Sequence, residues 1–298
     1  MTQENFGKET CENEPEFVSS PVKHQIRSSI QHWQLRDLVA CPEKKNEVIF
    51  VNQNNVLKYD TTSKITSPVL KDLTFSPTSM TTGCGYVAAG GQRSQLMVRQ
   101  LASNWCISEH LNGARLLICN NDETIKVYSL PGLQRMASIS LPTAVNYCAV
   151  SPDGRKMLGA KDAGFSCAWN HSSEKFAVAS QDGVVCVWDV RSTEKLALLN
   201  SKQYPQVKGA CRCLKFSPTG SIDLLMYSEH VSYFNLVDAR TFNQKQSIRV
   251  SQAGGEQHIS GIAFSPESKN IFVGLESTIL EYQVDTLSRR CFPEGSII

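Results

Sequence analysis

The stretch Phe165–Val190, FSCAWNHSSEKFAVASQDGVVCVWDV, constrains the fold more than any other part of the chain. Its three apolar runs, FSCAW, KFAVAS and VVCVWDV, each read as a short strand. Asn170-His171-Ser172-Ser173 separates the first from the second, and Gln181-Asp182-Gly183 the second from the third. Asp-Gly between two apolar runs is a strong hairpin signal, because a tight I′ turn needs positive φ at its central residues. The stretch therefore specifies a three-stranded antiparallel meander closed by Val187-Trp188-Asp189.

The pattern recurs along the chain. A first unit, roughly 35–70, has LRDLVACP, EVIFVNQ and NVLKYDTT, with Asn54-Asn55 in the turn. A second, 72–101, has a first strand ending at Thr74-Phe75-Ser76-Pro77, then YVAAGG and QLMVRQL. A third, about 104–136, has ARLLICN, an Asn121-Asp122-Glu123 turn and TIKVYSL. The sixth, about 209–247, reads CRCLKFSPTG, DLLMYSE and VSYFNLVDARTF; the seventh, about 258–288, reads ISGIAFSPES, NIFVGLE and TILEYQVDT. Equivalent sheets repeated at fixed spacing mark a repeat architecture, in which each unit buries its apolar faces against its neighbours. A chain of 298 residues has room for about seven units of about 40–45 residues.

These residues resemble the WD-repeat β-propeller family, and the resemblance covers about 35–288. It implies an all-β, WD40-type β-propeller of about seven blades. In that family a Ser or Thr of the second strand, the Asp of the tight turn, the Trp of the third strand and a His ahead of the first strand share a hydrogen-bonded network. Ser180, Asp182 and Trp188 match three of these positions, whereas Asp162, Ala163 and Gly164 stand where the His belongs. The family's N-terminal segment often adds the outer strand of the last blade, so 17–34 is the expected ring-closing segment. Residues 1–16 are acidic and poor in apolar side chains and are expected to be disordered, and 289–298 form a tail.

The fourth unit is short. AVNYCAVSPDGRKMLGA supplies two strands, and the next first strand, GFSCAW, follows at once. With the Pro after each first strand as marker, and His171 in that slot of the fifth unit, Pro77 to Pro152 is 75 residues, His171 to Pro218 is 47 and Pro218 to Pro266 is 48. Pro152 to His171 is only 19. The third and fourth strands of the fourth blade are therefore expected to be missing, a gap of roughly 20–30 residues at the usual repeat length. Such a gap leaves an unpaired strand edge, which invites pairing with another chain.

Composition narrows function by exclusion. A net charge of +2 and a pI of about 8.0 give no basic domain of the kind that makes nucleic acid an expected partner. No apolar run reaches 18 residues, so no helical membrane span is expected. Eleven cysteines, an odd number scattered through strand-like runs without a secretion signal, read as buried free thiols in a cytoplasmic or nuclear protein. Cys211-x-Cys213 is not read as a metal pair. The six histidines show no ligand spacing, and there is no nucleophile elbow or phosphate loop. Asp122, Glu123 and Asp153 take turn positions where Asp bonds its own backbone. No catalytic residue, metal, cofactor or small-molecule substrate is expected.

Function is then expected from surfaces. The resemblance implies a binding face made by the loops between second and third strands and those leading into first strands. By position, Arg93, Asn121, Gln181, Glu229, His230 and Glu276 belong to it. The expected activity is that of a non-catalytic scaffold or adaptor for protein or peptide partners. The run from Cys148 to Ser265 also looks similar to fungal and plant WD-repeat proteins, one of which acts as substrate receptor of a multi-subunit ubiquitin ligase that recognises substrate N-termini. That resemblance implies an acidic pocket for an N-terminal ammonium, with Glu229 and Glu276 as candidates. An RNA- or chromatin-associated propeller is the remaining alternative.

Overall fold

The apolar runs become strands whose burial alternates. In KFAVAS, Ala177 and Ala179 are fully buried, and in VVCVWD, Val185 and Val187 are. In the computed structural model, residues 16–34, 36–101, 114–119, 121–161, 163–251 and 255–287 are described. The acidic N-terminal segment up to residue 15 and the C-terminal tail lie outside them.

Strand β1 (Val22–His24) comes first. One sheet follows as β2 (Val39–Ala40), β3 (Glu47–Asn52), β4 (Asn55–Asp60) and β5 (Thr66–Leu70), and the next as β6 (Ser79–Gly83), β7 (Tyr86–Gly90) and β8 (Leu96–Gln100). The third sheet holds β9 (Arg115–Cys119), β10 (Thr124–Ser129) and β11 (Arg135–Ser140). The fourth holds only β12 (Val145–Val150) and β13 (Met157–Lys161). The fifth is β14 (Gly164–Trp169), β15 (Lys175–Ser180), β16 (Val184–Asp189) and β17 (Lys195–Asn200). The sixth is β18 (Cys213–Phe216), β19 (Leu224–Ser228), β20 (Tyr233–Asp238) and β21 (Lys245–Arg249). The seventh is β22 (Ile259–Phe264), β23 (Asn270–Leu275) and β24 (Ile279–Gln283), with β1 antiparallel to β24 as its fourth strand.

The result is a β-propeller with six blades of three or four strands and a two-stranded remnant in the fourth position. The short spacing between Pro152 and His171 thus corresponds to two strands that are not there. The second sheet differs from its reading in the sequence. Thr74–Pro77 is not a strand, and the inner strand is Ser79–Gly83. The reason is a tight turn at Cys84-Gly85, both with positive φ, which pairs Gly83 with Tyr86 and makes 79–90 one hairpin. The Ser76-Pro77 turn lies in the connection between sheets instead. In the first sheet the turn is Gln53-Asn54, with Gln53 at φ 51°, one residue earlier than expected.

The seventh sheet ties the chain's ends together. His24 Nε2 lies 2.8 Å from Glu281 Oε2, and its Nδ1 is 3.3 Å from the Tyr59 hydroxyl of the first sheet. Apolar side chains fill the spaces between successive sheets unevenly. Four buried clusters lie between the fifth and sixth, sixth and seventh, seventh and first, and first and second sheets. None of the four reaches the third and fourth sheets. Every residue of β11 is exposed, including Met136 and Ile139. Leu196 and Leu198 of β17 are also exposed, whereas the alternating Ala197 and Leu199 pack against the sixth sheet. By the two-residue period of a strand, Leu196 and Leu198 therefore face the side where the fourth blade lacks its outer strands.

Candidate binding face at the channel mouth

Each full sheet is an antiparallel meander, so turns from second to third strand and links from one sheet to the next emerge on the same face of the ring. Four such segments converge there: 25–38, described except at 35, 201–212, 229–232 and 250–258, described except at 252–254.

Arg212 sits at the end of the second segment, just ahead of β18, with its backbone N–H donating to Ser228 O at 2.9 Å. Its side chain is 3% exposed. The guanidinium carbon lies 4.4 Å from the Phe165 ring centroid and 5.9 Å from that of Trp33, within cation–π reach of both rings. Neither Nε nor Nη1 has a hydrogen-bond partner among the described residues. A buried guanidinium carries five N–H donors and ordinarily finds acceptors for them.

Arg36, also buried, donates from Nη1 to His32 O, and the His32 ring stacks on Trp33 at 6.2 Å. Trp33 is 61% exposed. The rings of His230 and His258 meet edge to face at 5.2 Å, and neither Nδ1 has a partner among the described residues.

The electrostatics of these groups point one way. Burial lowers Arg36 to about 10, helped by the charge of Arg212 and opposed by Glu276. Burial also lowers Arg212. His230 falls to about 4 through burial, then Arg212, Arg36 and His258, against the pull of Glu256. His32 is lowered by burial, Arg36 and Arg212. Two buried arginines, Arg36 and Arg212, thus lie close together, and the charge of Arg212 is felt at Arg36. The rim pair Lys208–Glu256 is half exposed and satisfies itself.

The sequence-derived residues are distributed as follows. Arg93, Asn121, Gln181 and Glu276 are exposed, each in a turn between second and third strands. Arg93 and Gln181 make local backbone bonds, to Gln95 Oε1 and Ala163 O. His230 belongs to the cluster just described. Glu229 is turned inward, 1% exposed. Its carboxylate accepts from Lys202 N at 2.6 Å, Gln203 N at 3.3 Å, Gln203 Nε2 at 3.1 Å and Asn235 Nδ2 at 2.9 Å. With four donors it holds the 201–212 segment in place and has little capacity left for a ligand's ammonium.

Ser180, Asp182 and Trp188 do not meet in one network. Asp182 Oδ1 accepts from Val184 N at 3.1 Å at the turn, and Trp188, at the far end of β16, stacks on Phe176 at 5.4 Å. Cys211 and Cys213 part company: Cys211 precedes β18 and packs between the fifth and sixth sheets, and Cys213 packs between the sixth and seventh. Among the described residues no group of three or more His, Cys, Asp or Glu is placed to hold a metal ion. No helix there is long and apolar enough to cross a membrane.

Sequence reasoning missed Trp33, Arg36, Arg212 and His258. Arg212 carried the one usable signal, a charged residue inside the apolar run Ala210–Leu214. The others lie on segments with no regular pattern.

Comparison with known proteins agrees with this geometry. The family model described as WD domain, G-beta repeat matches residues 165–189, which are β14 to β16. An uncharacterised protein of the fission yeast Schizosaccharomyces pombe is 30% identical over 332 aligned positions, covering 94% of this chain and 95% of its own length. The chain belongs to the WD-repeat β-propeller family. The family model for an uncharacterised protein domain, DUF2415, matches residues 209–249 of the propeller, its sixth blade together with Arg212 and His230. Since 94% of 298 residues is about 280, about 50 of the 332 aligned positions have no counterpart in this propeller. The yeast relative thus has more than enough additional sequence within the matched span for the two strands that the fourth blade lacks.

Proposed function

We propose that the chain is a non-catalytic interaction propeller that engages a protein or peptide partner at the mouth of its channel. WD-repeat propellers are in general protein-interaction scaffolds and generally non-catalytic. The observation that carries the reading is the convergence of segments from different blades on one cluster, in which an exposed Trp33 lies over the buried Arg212. Exposed aromatics beside a partly desolvated arginine are the residue types that dominate binding energy at protein interfaces.

The finer reading, a ubiquitin-ligase receptor for substrate N-termini, needs a carboxylate free to meet an ammonium. Of the two candidates, only Glu276 is exposed. It remains part of the proposal through that residue alone. An RNA- or chromatin-bound propeller has no further observation in its favour. Action in the cytoplasm or nucleus is proposed from the free cysteines.

The test is affinity purification of the tagged full chain from its native cell, beside a Trp33→Ala variant of equal abundance. A defined set of proteins lost from the variant supports the proposal, and ligase subunits in that set would support the receptor form. The same proteins captured equally by both, or chaperones alone, would overturn the channel-mouth assignment.

A further inference from the structure

We infer that Cys119 and Cys148 form a reversible oxidation site, in which a peroxide joins the two thiols into a disulfide between the third and fourth sheets. The inference does not depend on the binding face proposed above. Strand pairing places both side chains in the same space between sheets. Cys119 ends β9 and stands directly opposite Ile125 of β10. Cys148, in β12, stands directly opposite Gly159 of β13. Side chains of directly paired residues share one face of their sheet. A Cβ built on Gly159 would meet Ile125 Cδ1 at 4.0 Å and Val145 Cγ1 at 3.6 Å. The Ile125 face of the third sheet therefore packs on the Gly159 face of the fourth, and the two cysteines lie on those facing surfaces.

The thiols are themselves in contact, Cys119 Sγ–H donating to Cys148 Sγ. Cys167, on the fifth sheet, has other partners: its thiol donates to Leu158 O at 3.7 Å and Tyr147 O at 4.0 Å. Cys119 and Cys148 are partly exposed, whereas Cys41, Cys167, Cys211 and Cys213 are buried. The shared hydrogen bond lowers Cys148 against the effect of burial, and the same bond, with burial, raises Cys119. Among the described cysteines whose ionisation shifts, Cys148 alone moves down, which makes it the attacking thiolate.

The chemistry balances in two steps with hydrogen peroxide as oxidant. The Cys148 sulfur attacks one peroxide oxygen, the O–O bond breaks, and a sulfenic acid and one water result. The Cys119 sulfur then attacks the Cys148 sulfur. The S–S bond forms, the S–O bond breaks, and the Cys119 proton leaves with the hydroxyl as a second water. Two electrons pass from the thiols to the peroxide, and a dithiol reductant returns them by exchange. Transient disulfides of this kind are those that occur in reducing compartments. The bond ties the third sheet to the fourth, where none of the four buried apolar clusters reaches, so the oxidised chain is expected to melt at a higher temperature.

The test treats the reduced full chain with limiting hydrogen peroxide, blocks it with N-ethylmaleimide and digests it with trypsin. Residues 116–126 and 136–155 are tryptic peptides that each carry one cysteine, Cys119 and Cys148. A species joining the two, lost on treatment with dithiothreitol, is expected. The exposed Cys84 measures the peroxide dose. No linked species at a dose that oxidises Cys84, or one formed only in urea, would overturn the site. A link from either cysteine to any other would overturn the pairing. In Cys119→Ser, dimedone should trap a sulfenic acid at Cys148, and in Cys148→Ser it should leave Cys119 unlabelled. Equal labelling in the two variants would overturn the order of attack. A linked chain that melts no higher than the reduced one would overturn the stabilising tie. Peptide mapping of the wild type decides the site even where a variant fails to fold.

Discussion

Lys215 Nζ lies 2.6 Å from Asp37 Oδ2, although 178 residues separate the two in sequence. Tyr147 of the two-stranded fourth sheet joins them, its hydroxyl donating to the same Asp37 oxygen at 2.9 Å. The three side chains come from the segment before the first sheet, the inner strand of the fourth and the inner strand of the sixth. They form a polar strut across the channel, next to the blade that lacks its outer half. Burial alone would pull Lys215 down, but the Asp37 carboxylate, with Tyr147 and Cys213, outweighs it and holds the ammonium well above its usual range. Burial and Asp37 push the Tyr147 phenol up, which keeps it protonated as a donor.

Breaking the strut should therefore cost stability beyond an ordinary surface pair. Asp37→Asn is expected to lose about 1–3 kcal/mol, between the values for exposed and buried ion pairs. A double-mutant cycle of Asp37→Asn with Lys215→Met in urea should show coupling of the two sites. Strictly additive losses would mean that the two groups do not stabilise each other.

The four-donor environment of Glu229 makes it a structural anchor. Glu229→Gln replaces one accepting oxygen by an NH2 that faces N–H donors, and is expected to cost about 1–3 kcal/mol. Hydrogen exchange should locate the loss in 201–212 and the 229–232 turn. Unchanged stability, with a lost affinity for a partner's N-terminal ammonium, would restore the residue to a binding role.

The two sides of the ring should respond differently to truncation. Leu236→Ala, fully buried between the sixth and seventh sheets, is expected to cost about 2–5 kcal/mol. Ile139→Ala on the exposed strand β11 should stay within about 0.5 kcal/mol. Denaturant midpoints of the pair measure this directly, and a similar cost at both sites would mean that β11 is covered in solution.

Acid should loosen the channel mouth. An unfolded His230 takes up its proton near 6.5, whereas the folded one does so near 4, held down by burial, Arg212, Arg36 and His258 against Glu256. Between those two values the unfolded chain binds more protons, so stability falls as pH is lowered through the window and levels off below it. His230→Gln should flatten that part of the stability curve.

The fourth blade has an unpaired edge on β13 and exposed apolar residues on either side, including Met136, Leu196 and Leu198. The chain is expected to self-associate with rising concentration. Inserting a two-stranded hairpin after Lys161 to complete the blade should raise Tm and abolish the association. A monomer at all concentrations, with an insertion that lowers Tm, would show that the short blade is stable as it stands.

Much of the fold was legible because strand signals are local. Gly183, at φ 87°, closes the Gln181-Asp182-Gly183 turn, although Asp182 lacks the positive φ of a I′ turn; alternation in KFAVAS chooses the face that is buried, and the 19 residues from Pro152 to His171 leave no room for two more strands. The misreadings were local as well. The Cys84-Gly85 turn carries a weaker signal than Asp-Gly, so the inner strand of the second sheet was placed before Pro77 instead of after it.

The site was not legible in the same way. Trp33 and Arg36 lie on an irregular segment, Arg212 at a strand's approach and Phe165 inside a strand, and no periodicity relates them. Glu229 and Glu276 hold equivalent turn positions in sequence, yet one is saturated inside the protein and the other faces water. The sequence alone determined that the chain forms repeated antiparallel sheets, because backbone pairing and turn geometry depend on neighbouring residues. Only the closed ring decided which charges meet, because hydrogen-bond satisfaction and burial depend on groups brought together from distant blades.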